Sequence, residues 1–571
     1  MKTQHPMNRI AIAMACIGAI TLAACSGYSG GQASVAKETT SDFDNGTGGI
    51  APANPSAGIF FNGQDPSRPP VNFNQDVRGR FEQVYGDPEN ARPDGRPDEP
   101  PGPGVESGEP YDMFFKQHGV NPFVDTEDDR LSTFAADVDT GSYTVCRDYL
   151  NRGNLPPNEA PRTEEFVNYF NYRYAPPANS TFSMAMDCAP SRYGADLKNC
   201  HLLRVGLQGK VVDAAVRKPA VLTFVIDISG SMQMENRMGY VKQALRMLVK
   251  QLRRDDYVGI AVYGTRGAKL LDHTNDPSRV LEALDSLAAN GSTNAEEGIR
   301  IGYDMAAANF KQGSINRVIL CTDGVANNGE VVPEALLKMI ETQRRKGITL
   351  SAIGFGMSNY NDTMLETLGD KGDGHYAYID NMDEAKRVFV DNLTGTLQVI
   401  ARDVKMQVEF NPAVVKSWRL IGYENRDVAD KDFRNNAVDG GEVGAGHSVT
   451  ALFEIKLFEN ANGALATTTV RWKHDEQEEY SEARQEAFTK DIRTWEQAPA
   501  NLRLAASVAE FAELLRHSYW AKNGSFDPVL ADLKQVIALT DDNEVLDLTK
   551  LVAKARELST NKSASGLAGG K

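Results

Sequence analysis

Cysteine and histidine are scarce in this chain, and its N-terminal apolar run is too short to span a membrane stably. Only 6 cysteines and 8 histidines are spread over 571 residues, and none of their spacings matches a zinc site. Basic residues are outnumbered as well: 61 Lys and Arg against 77 Asp and Glu leave a formal net charge of −16. That sign argues against nucleic acid and anionic lipid surfaces as partners. The acids are dispersed along the chain, as on a solvated surface. The apolar stretch from Ile10 to Leu22 comes after Lys2 and Arg9. Its length and flanks read as a secretory signal peptide covering residues 1–24.

The residues after the leader fit export. Leu22-Ala23-Ala24-Cys25 resembles the bacterial lipobox, in which the cysteine is lipidated and becomes the mature N-terminus. The resemblance implies a lipid anchor at Cys25. Because Ser26 rather than an aspartate comes next, it also implies the outer membrane of the cell envelope. Residues 25–111 are rich in Gly, Pro, Asn, Asp and Ser without sustained periodicity, which predicts a disordered tether. At that length its root-mean-square reach is about 50 Å. Export also permits disulfides. Cys188 and Cys200 flank a loop containing Pro and Gly, and a bridge between them is expected to staple a hairpin. Cys321 sits inside an apolar run and reads as a small buried hydrophobe.

The chemistry concentrates further on. The apolar run Val221-Leu222-Thr223-Phe224-Val225-Ile226 closes on Asp227-Ile228-Ser229-Gly230-Ser231. A short apolar run ending in a polar turn with glycine predicts a buried parallel strand whose C-terminal end faces a crevice, where open α/β sheets place ligands. One carboxylate and two hydroxyls at two-residue spacing offer three hard oxygen ligands, suited to Mg²⁺ with several retained waters. Alone, D-x-S-x-S equally describes a helix N-cap before the helix near Gly239. Two further segments change the balance: the polar loop Asn290-Gly291-Ser292-Thr293-Asn294, and the run Val318-Ile319-Leu320-Cys321-Thr322-Asp323-Gly324. In that order the three segments resemble the metal-ion-dependent adhesion site (MIDAS) of von Willebrand factor type A (VWA) domains. The resemblance implies metal ligation by Asp227, Ser229, Ser231, Thr293 and Asp323, with Mg²⁺ as the ion and Mn²⁺ or Ca²⁺ as substitutes. It also implies a protein partner that presents an Asp or Glu carboxylate.

Strand-like runs at Tyr257–Tyr263, Arg317–Thr322 and Ile348–Phe355 alternate with helical patterns at Tyr240–Leu252, Pro277–Leu287, Ala295–Asn309 and Pro333–Lys346. The alternation predicts an α/β, doubly wound, mostly parallel (Rossmann-like) sheet over residues 217–395. Leu202–Leu207 before it, and Val404–Phe410, Trp418–Tyr423, Val449–Phe458 and Thr467–Trp472 after it, also read as strands. This pattern predicts a β-sandwich-like region into which the α/β domain is inserted. That leaves an N-terminal segment at 112–216, a β-rich segment at 396–498 and a helical C-terminal segment at 499–571.

Two enzyme motifs nearly form. Asp139-Thr140-Gly141-Ser142 matches the D-T-G-S core of aspartic proteases, but no second D-T-G supplies the partner carboxylate. Asp137-Val138-Asp139-Thr140 approaches the D-x-D-x-T motif of haloacid-dehalogenase-like phosphatases, with Gly141 at the threonine position and no buried strand expected ahead of it. A better match is to bacterial VWA lipoproteins, which this chain resembles in the S-T-F…D-V-D-T…S-Y run, in Asn151-Arg152-Gly153 before Leu155-Pro156-Pro157, and in the helix-like Arg162–Phe170. Three functions are compatible with these residues. The leading one is a non-enzymatic binding module on a lipid anchor. The others are a structural envelope protein whose metal only braces loops, and a metal-dependent hydrolase using Asp227 and Asp323. The last lacks a nucleophile paired with an activator.

Overall fold

The computed structural model describes residues 113–568 apart from 325–332, 358–359 and 475–478. The leader, Cys25 and nearly all of the tether lie outside the described residues. The chain opens with strands β1 (Val124–Asp125) and β2 (Leu131–Ala135), helices α1 (Gly141–Asn151) and α2 (Thr163–Tyr169), and the hairpin β3 (Phe182–Pro190) and β4 (Cys200–Gly209).

The expected doubly wound sheet comes next, as β5 (Ala220–Asp227), α3 (Arg237–Val249), β6 (Tyr257–Tyr263), β7 (Gly267–Thr274), α4 (Pro277–Ser286), α5 (Ala295–Ala308), β8 (Ile315–Thr322), α6 (Glu334–Arg344), β9 (Ile348–Phe355), α7 (Asp362–Lys371), β10 (Tyr376–Ile379) and the short helices α8 (Met382–Lys386) and α9 (Leu393–Leu397). The sheet order is β10-β9-β8-β5-β6-β7. All neighbours are parallel except the edge strand β7, which runs antiparallel to β6. All eight residues of β5 are buried because helices cover both faces. Leu222, Phe224 and Ile226 enter one core with Val241 and Leu245 of α3. Val225 points the other way, into a second core with Ile299 and Tyr303 of α5. This is the period-two alternation of a strand, and each fully buried aliphatic side chain contributes about 1.5–3 kcal/mol. Helix α5 lies close against β5: a Cβ on Gly302 would come within 2.2 Å of Val225 Cγ2. Asp276, Asn294 and Asn361 accept first-turn N–H groups and fix where α4, α5 and α7 begin.

The chain then forms β11 (Val399–Phe410), β12 (Val415–Ile421), β13 (Gly441–Gly444), β14 (Ser448–Leu457), β15 (Ala464–His474) and β16 (Tyr480–Phe488). One sheet runs β1-β12-β14-β4-β3 and another β13-β11-β15-β16, with β2 added beside β11. Leu203, Val205 and Leu207 of β4 share a core with Met406, Val408 and Phe410 of β11 and Val470 of β15, so the two sheets make a sandwich. Strand β4 leaves the sandwich before the α/β unit and pairs with β14 after it, Leu203 opposite Phe453 and Leu207 opposite Val449. The α/β unit is thus an excursion from β4 of one sheet that returns at β11 of the other.

Helices α10 (Ala500–Leu515), α11 (Phe526–Thr540) and α12 (Asn543–Ala568) close the chain. They share a core with the N-terminal helices: Leu502, Phe511, Val529 and Val552 pack with Tyr143, Leu150 and Phe166. On its other side, α1 sends Val145 and Tyr149 into the α/β core, and its Arg147 pairs with Asp380 at 2.5 Å and Glu384 at 2.9 Å. Helix α1 therefore bolts the inserted unit to the rest.

Two expectations need correction. Cys188 and Cys200 are buried free thiols. In the hairpin Cys188 stands opposite Leu203, three residues beyond Cys200. An odd offset puts the two cysteines on opposite faces of the sheet, where no bridge can form. Also, a strand with a buried centre does precede Asp137: β2, antiparallel to β11. The Asp137–Asp139 pair serves that junction instead. Arg426, in the β12–β13 connection, reaches Asp137 at 3.1 Å, Asp139 at 3.5 Å and Asp370 of α7 at 2.7 Å. Asp139 also accepts the Tyr376 N–H at 2.9 Å. The D-T-G-S aspartate is a tie between segments.

Glu510 of α10 is 7% exposed. Burial, with the nearby charges of Glu513 and Glu454, pushes its carboxyl from 4.5 up to about 8. The folded state therefore holds a proton that the unfolded chain has released between those values, and stability falls as pH rises through that window. Glu510→Gln should flatten that slope and make the protein more stable than wild type above pH 8, as measured by urea unfolding at pH 5, 7 and 8.5.

Candidate metal-binding site

Strand β5 ends at Asp227, whose side chain is fully buried. One carboxylate oxygen accepts the Ser229 N–H at 2.8 Å, which closes the turn. The other lies 2.9 Å from the Thr322 hydroxyl at the end of β8. The two strands run side by side, Ile226 opposite Cys321, so Asp227 and Asp323 emerge together at the C-terminal edge of the sheet. Ser229 and Ser231 bring their hydroxyls within 3.0 Å of each other. The loop carrying Thr293 is stitched to this turn by backbone bonds from Gly230 N–H to the Gly291 carbonyl at 2.9 Å and from Asn290 N–H to the Ile228 carbonyl at 2.6 Å. Thr293 is half-buried there, and among the described residues its hydroxyl bonds none of the other four. Asp227, Ser229, Ser231 and Asp323 thus form one cluster, with Thr293 on the adjoining loop.

Two residues the sequence did not announce shape the cluster. Arg237, at the start of α3, is 1% exposed. Its Nη1 donates to Asp323 Oδ2 at 2.6 Å and its Nη2 to the Met357 carbonyl. Gly356, at φ +78°, leaves room for it: a Cβ there would stand 2.2 Å from Arg237 Nε. Neither role has a sequence signal, since Arg237 and Asp323 are 86 positions apart.

The electrostatics are lopsided. Burial and the neighbouring Asp323 charge push the Asp227 carboxyl up to about 7. Asp323 is also raised by burial, but Arg237 and the Ser231 hydroxyl pull it back. Asp323 therefore has its cation, whereas Asp227 has only hydroxyls and an N–H. Two carboxylates and three hydroxyls, with one carboxylate lacking a counter-charge, suit a hard divalent cation. The residues fit such an ion. Among the described residues no cluster of three or more His, Cys, Asp or Glu is placed to hold a metal, so any metal here depends on the hydroxyls.

Comparison with known proteins places the α/β unit in a described family. Residues 222–391 match the von Willebrand factor type A domain family. Residues 109–201 match a family described as von Willebrand factor, and residues 395–558 one described as uncharacterized protein YfbK, C-terminal. The uncharacterized protein YfbK of Escherichia coli (strain K12) is 36% identical over 447 residues, covering 73% of this chain and 76% of that protein. Inter-alpha-trypsin inhibitor heavy chain H3 of Mus musculus is 27% identical over 206 residues, which is 34% of this chain and 22% of the heavy chain. A solved structure, von Willebrand factor type A from Catenulispora acidiphila, is 15% identical over 67% of this chain and 91% of that one, with a TM-score of 0.40. VWA domains generally mediate protein–protein contacts and commonly bind divalent metal ions.

The Arg237 pairing alters how the site should be probed. Asp323→Ala strands a buried guanidinium and should cost about 3–5 kcal/mol of stability. Asp323→Ala combined with Arg237→Met should recover much of that loss. Urea denaturation of the two single variants and the double variant checks both expectations.

Proposed function

Because this chain belongs to the YfbK family, which carries a VWA domain here, we propose that it is a non-enzymatic binding protein of the cell envelope. It captures a protein partner through a divalent cation held by Asp227, Ser229, Ser231, Thr293 and Asp323. The observation that carries this reading is Asp227: a carboxylate with no exposure, beside a second carboxylate whose positive partner is already committed.

Each residue has a role. Asp227 supplies the uncompensated negative charge. Ser229 and Ser231 supply neutral oxygens, which add ligands without adding charge. Arg237 holds Asp323 in place and neutralises part of it. The bound ion, Mg²⁺ by the hardness and small number of these oxygens, supplies net positive character and an exchangeable position for an Asp or Glu carboxylate of the partner. The surrounding surface is acidic overall, at −16 for the chain, so it repels anions that the ion does not capture. Carboxylates and hydroxyls without a paired nucleophile and base suit capture better than turnover. Cys25 is the lipid anchor to an outer membrane in this reading, joined to the folded part through residues 26–111.

Calorimetry on the full chain should show one Mg²⁺ bound in wild type and none in Asp227→Asn; equal affinity in the two would overturn the reading. Once a partner is in hand, EDTA should release it far more completely than added salt does, since recognition runs through the local ion rather than the general field. Retention of the partner in EDTA would place recognition elsewhere.

A further inference from the structure

A cavity of about 480 Å³ opens where the α/β unit, the sandwich and the N-terminal segment meet, and it shares no residue with the metal site. Its wall includes His375 just before β10, Arg387 between α8 and α9, His447 between β13 and β14, and Arg173 after α2. Among the described residues, three nitrogens of this wall are buried without a hydrogen-bond partner: His375 Nε2, His447 Nδ1 and Arg387 Nη1. Buried polar atoms are normally satisfied, and three orphans converging on one cavity call for a missing partner.

The charge of the wall says what kind. The His375 and His447 rings stand 5.3 Å apart. Burial keeps both imidazoles neutral: His375 is held well below its usual range and His447 is lowered to about 4. Two neutral imidazoles alone would suit a metal ion, but the His375 ring already bonds the Gly395 backbone, and the Arg387 and Arg317 guanidinium charges act on His447 and oppose a cation there. Arg387 stacks 3.6 Å over the Tyr169 ring and donates its Nη2 to the Tyr169 carbonyl at 2.6 Å, leaving Nη1 over. The acid in the wall, Glu384, is already taken by Arg147 at 2.9 Å and by the Tyr169 hydroxyl at 3.0 Å. Arg173 is shared with Asp542 at 3.2 Å, so the positive character of the wall is that of Arg387.

We propose that this cavity binds a small organic anion, with its carboxylate or phosphate head on the spare N–H of Arg387, beside the two imidazole rings, and its body against Tyr169 and Tyr174. The volume lies within the range of small-molecule sites, which favour such domain junctions. A guanidinium with a spare N–H matches an oxyanion head. The inference is independent of the metal-site reading.

The test uses the full chain with four probes: benzoate, succinate, inorganic phosphate, and benzylamine as the shape-matched cation. Histidine side-chain NMR, assigned with His375→Gln and His447→Gln, should show both rings shifting with at least one of the anions and neither with benzylamine. Arg387→Met should weaken that binding by about tenfold. Because Arg387 also packs on Tyr169, exposed Arg173→Gln serves as the second variant and should weaken binding by about threefold. The proposal is overturned if no anion moves the two rings, if benzylamine binds as well as benzoate, if folded Arg387→Met binds like wild type, or if Zn²⁺ alone moves both rings.

Discussion

Arg426 is the residue on which the arrangement of this chain turns. It lies in the sandwich, yet its guanidinium reaches Asp137 and Asp139 of the N-terminal segment and Asp370 of the inserted α/β unit. Three parts of the sequence meet on one buried cation. Buried ion pairs add little net stability over well-packed apolar residues, but leaving one member alone is costly. Such a cluster therefore specifies a single docking. An α/β unit connected only through β4 and β11 would otherwise be free to swivel; Arg426 on one side and helix α1 on the other hold it.

The same device recurs. Arg419 bridges Glu454 of β14 and Glu513 of α10 at 2.8 and 3.4 Å. Arg162 binds Glu165 of its own helix and Asp362 of α7. Arg237 secures Asp323. Many buried carboxylates are matched in this way by guanidinium groups, whereas Asp227 and Glu164 are held by neutral donors only. The cavity at the junction is the mirror case, where one guanidinium N–H of Arg387 is buried without an acceptor.

Much of this could be read from the sequence because local signals and tertiary packing agreed. Val221–Ile226 is apolar enough to be a strand covered on both faces, and D-x-S-x-S is polar enough to end it. The helical patterns at Pro277–Leu287 and Ala295–Asn309 are legible, and Asp276 and Asn294 cap them within one turn. The hidden parts depended on distant partners. Strand β2 is five residues long and half polar in composition, and it exists because β11 lies beside it. Arg237 looks like any helix-start arginine until Asp323 and Gly356 are seen around it. The cysteine pair misled because loop length carries no information on sheet face, whereas register does.

The excursion of the chain between β4 and β14 has a consequence for how the protein acquires its structure. Leu203 and Phe453 are paired neighbours separated by the whole α/β unit, so the sandwich cannot close from an unstructured chain without a large loop-closure penalty. Once the α/β unit has formed, its two ends lie close together and that loop becomes short in effect. Connectivity thus favours forming the inserted unit before the sandwich closes around its ends. Last comes the helical cap, whose residues are synthesised last yet complete a core that the first helices began. Until then, the apolar faces of α1 and α2 wait uncovered, and that interval is when the chain is most exposed to aggregation.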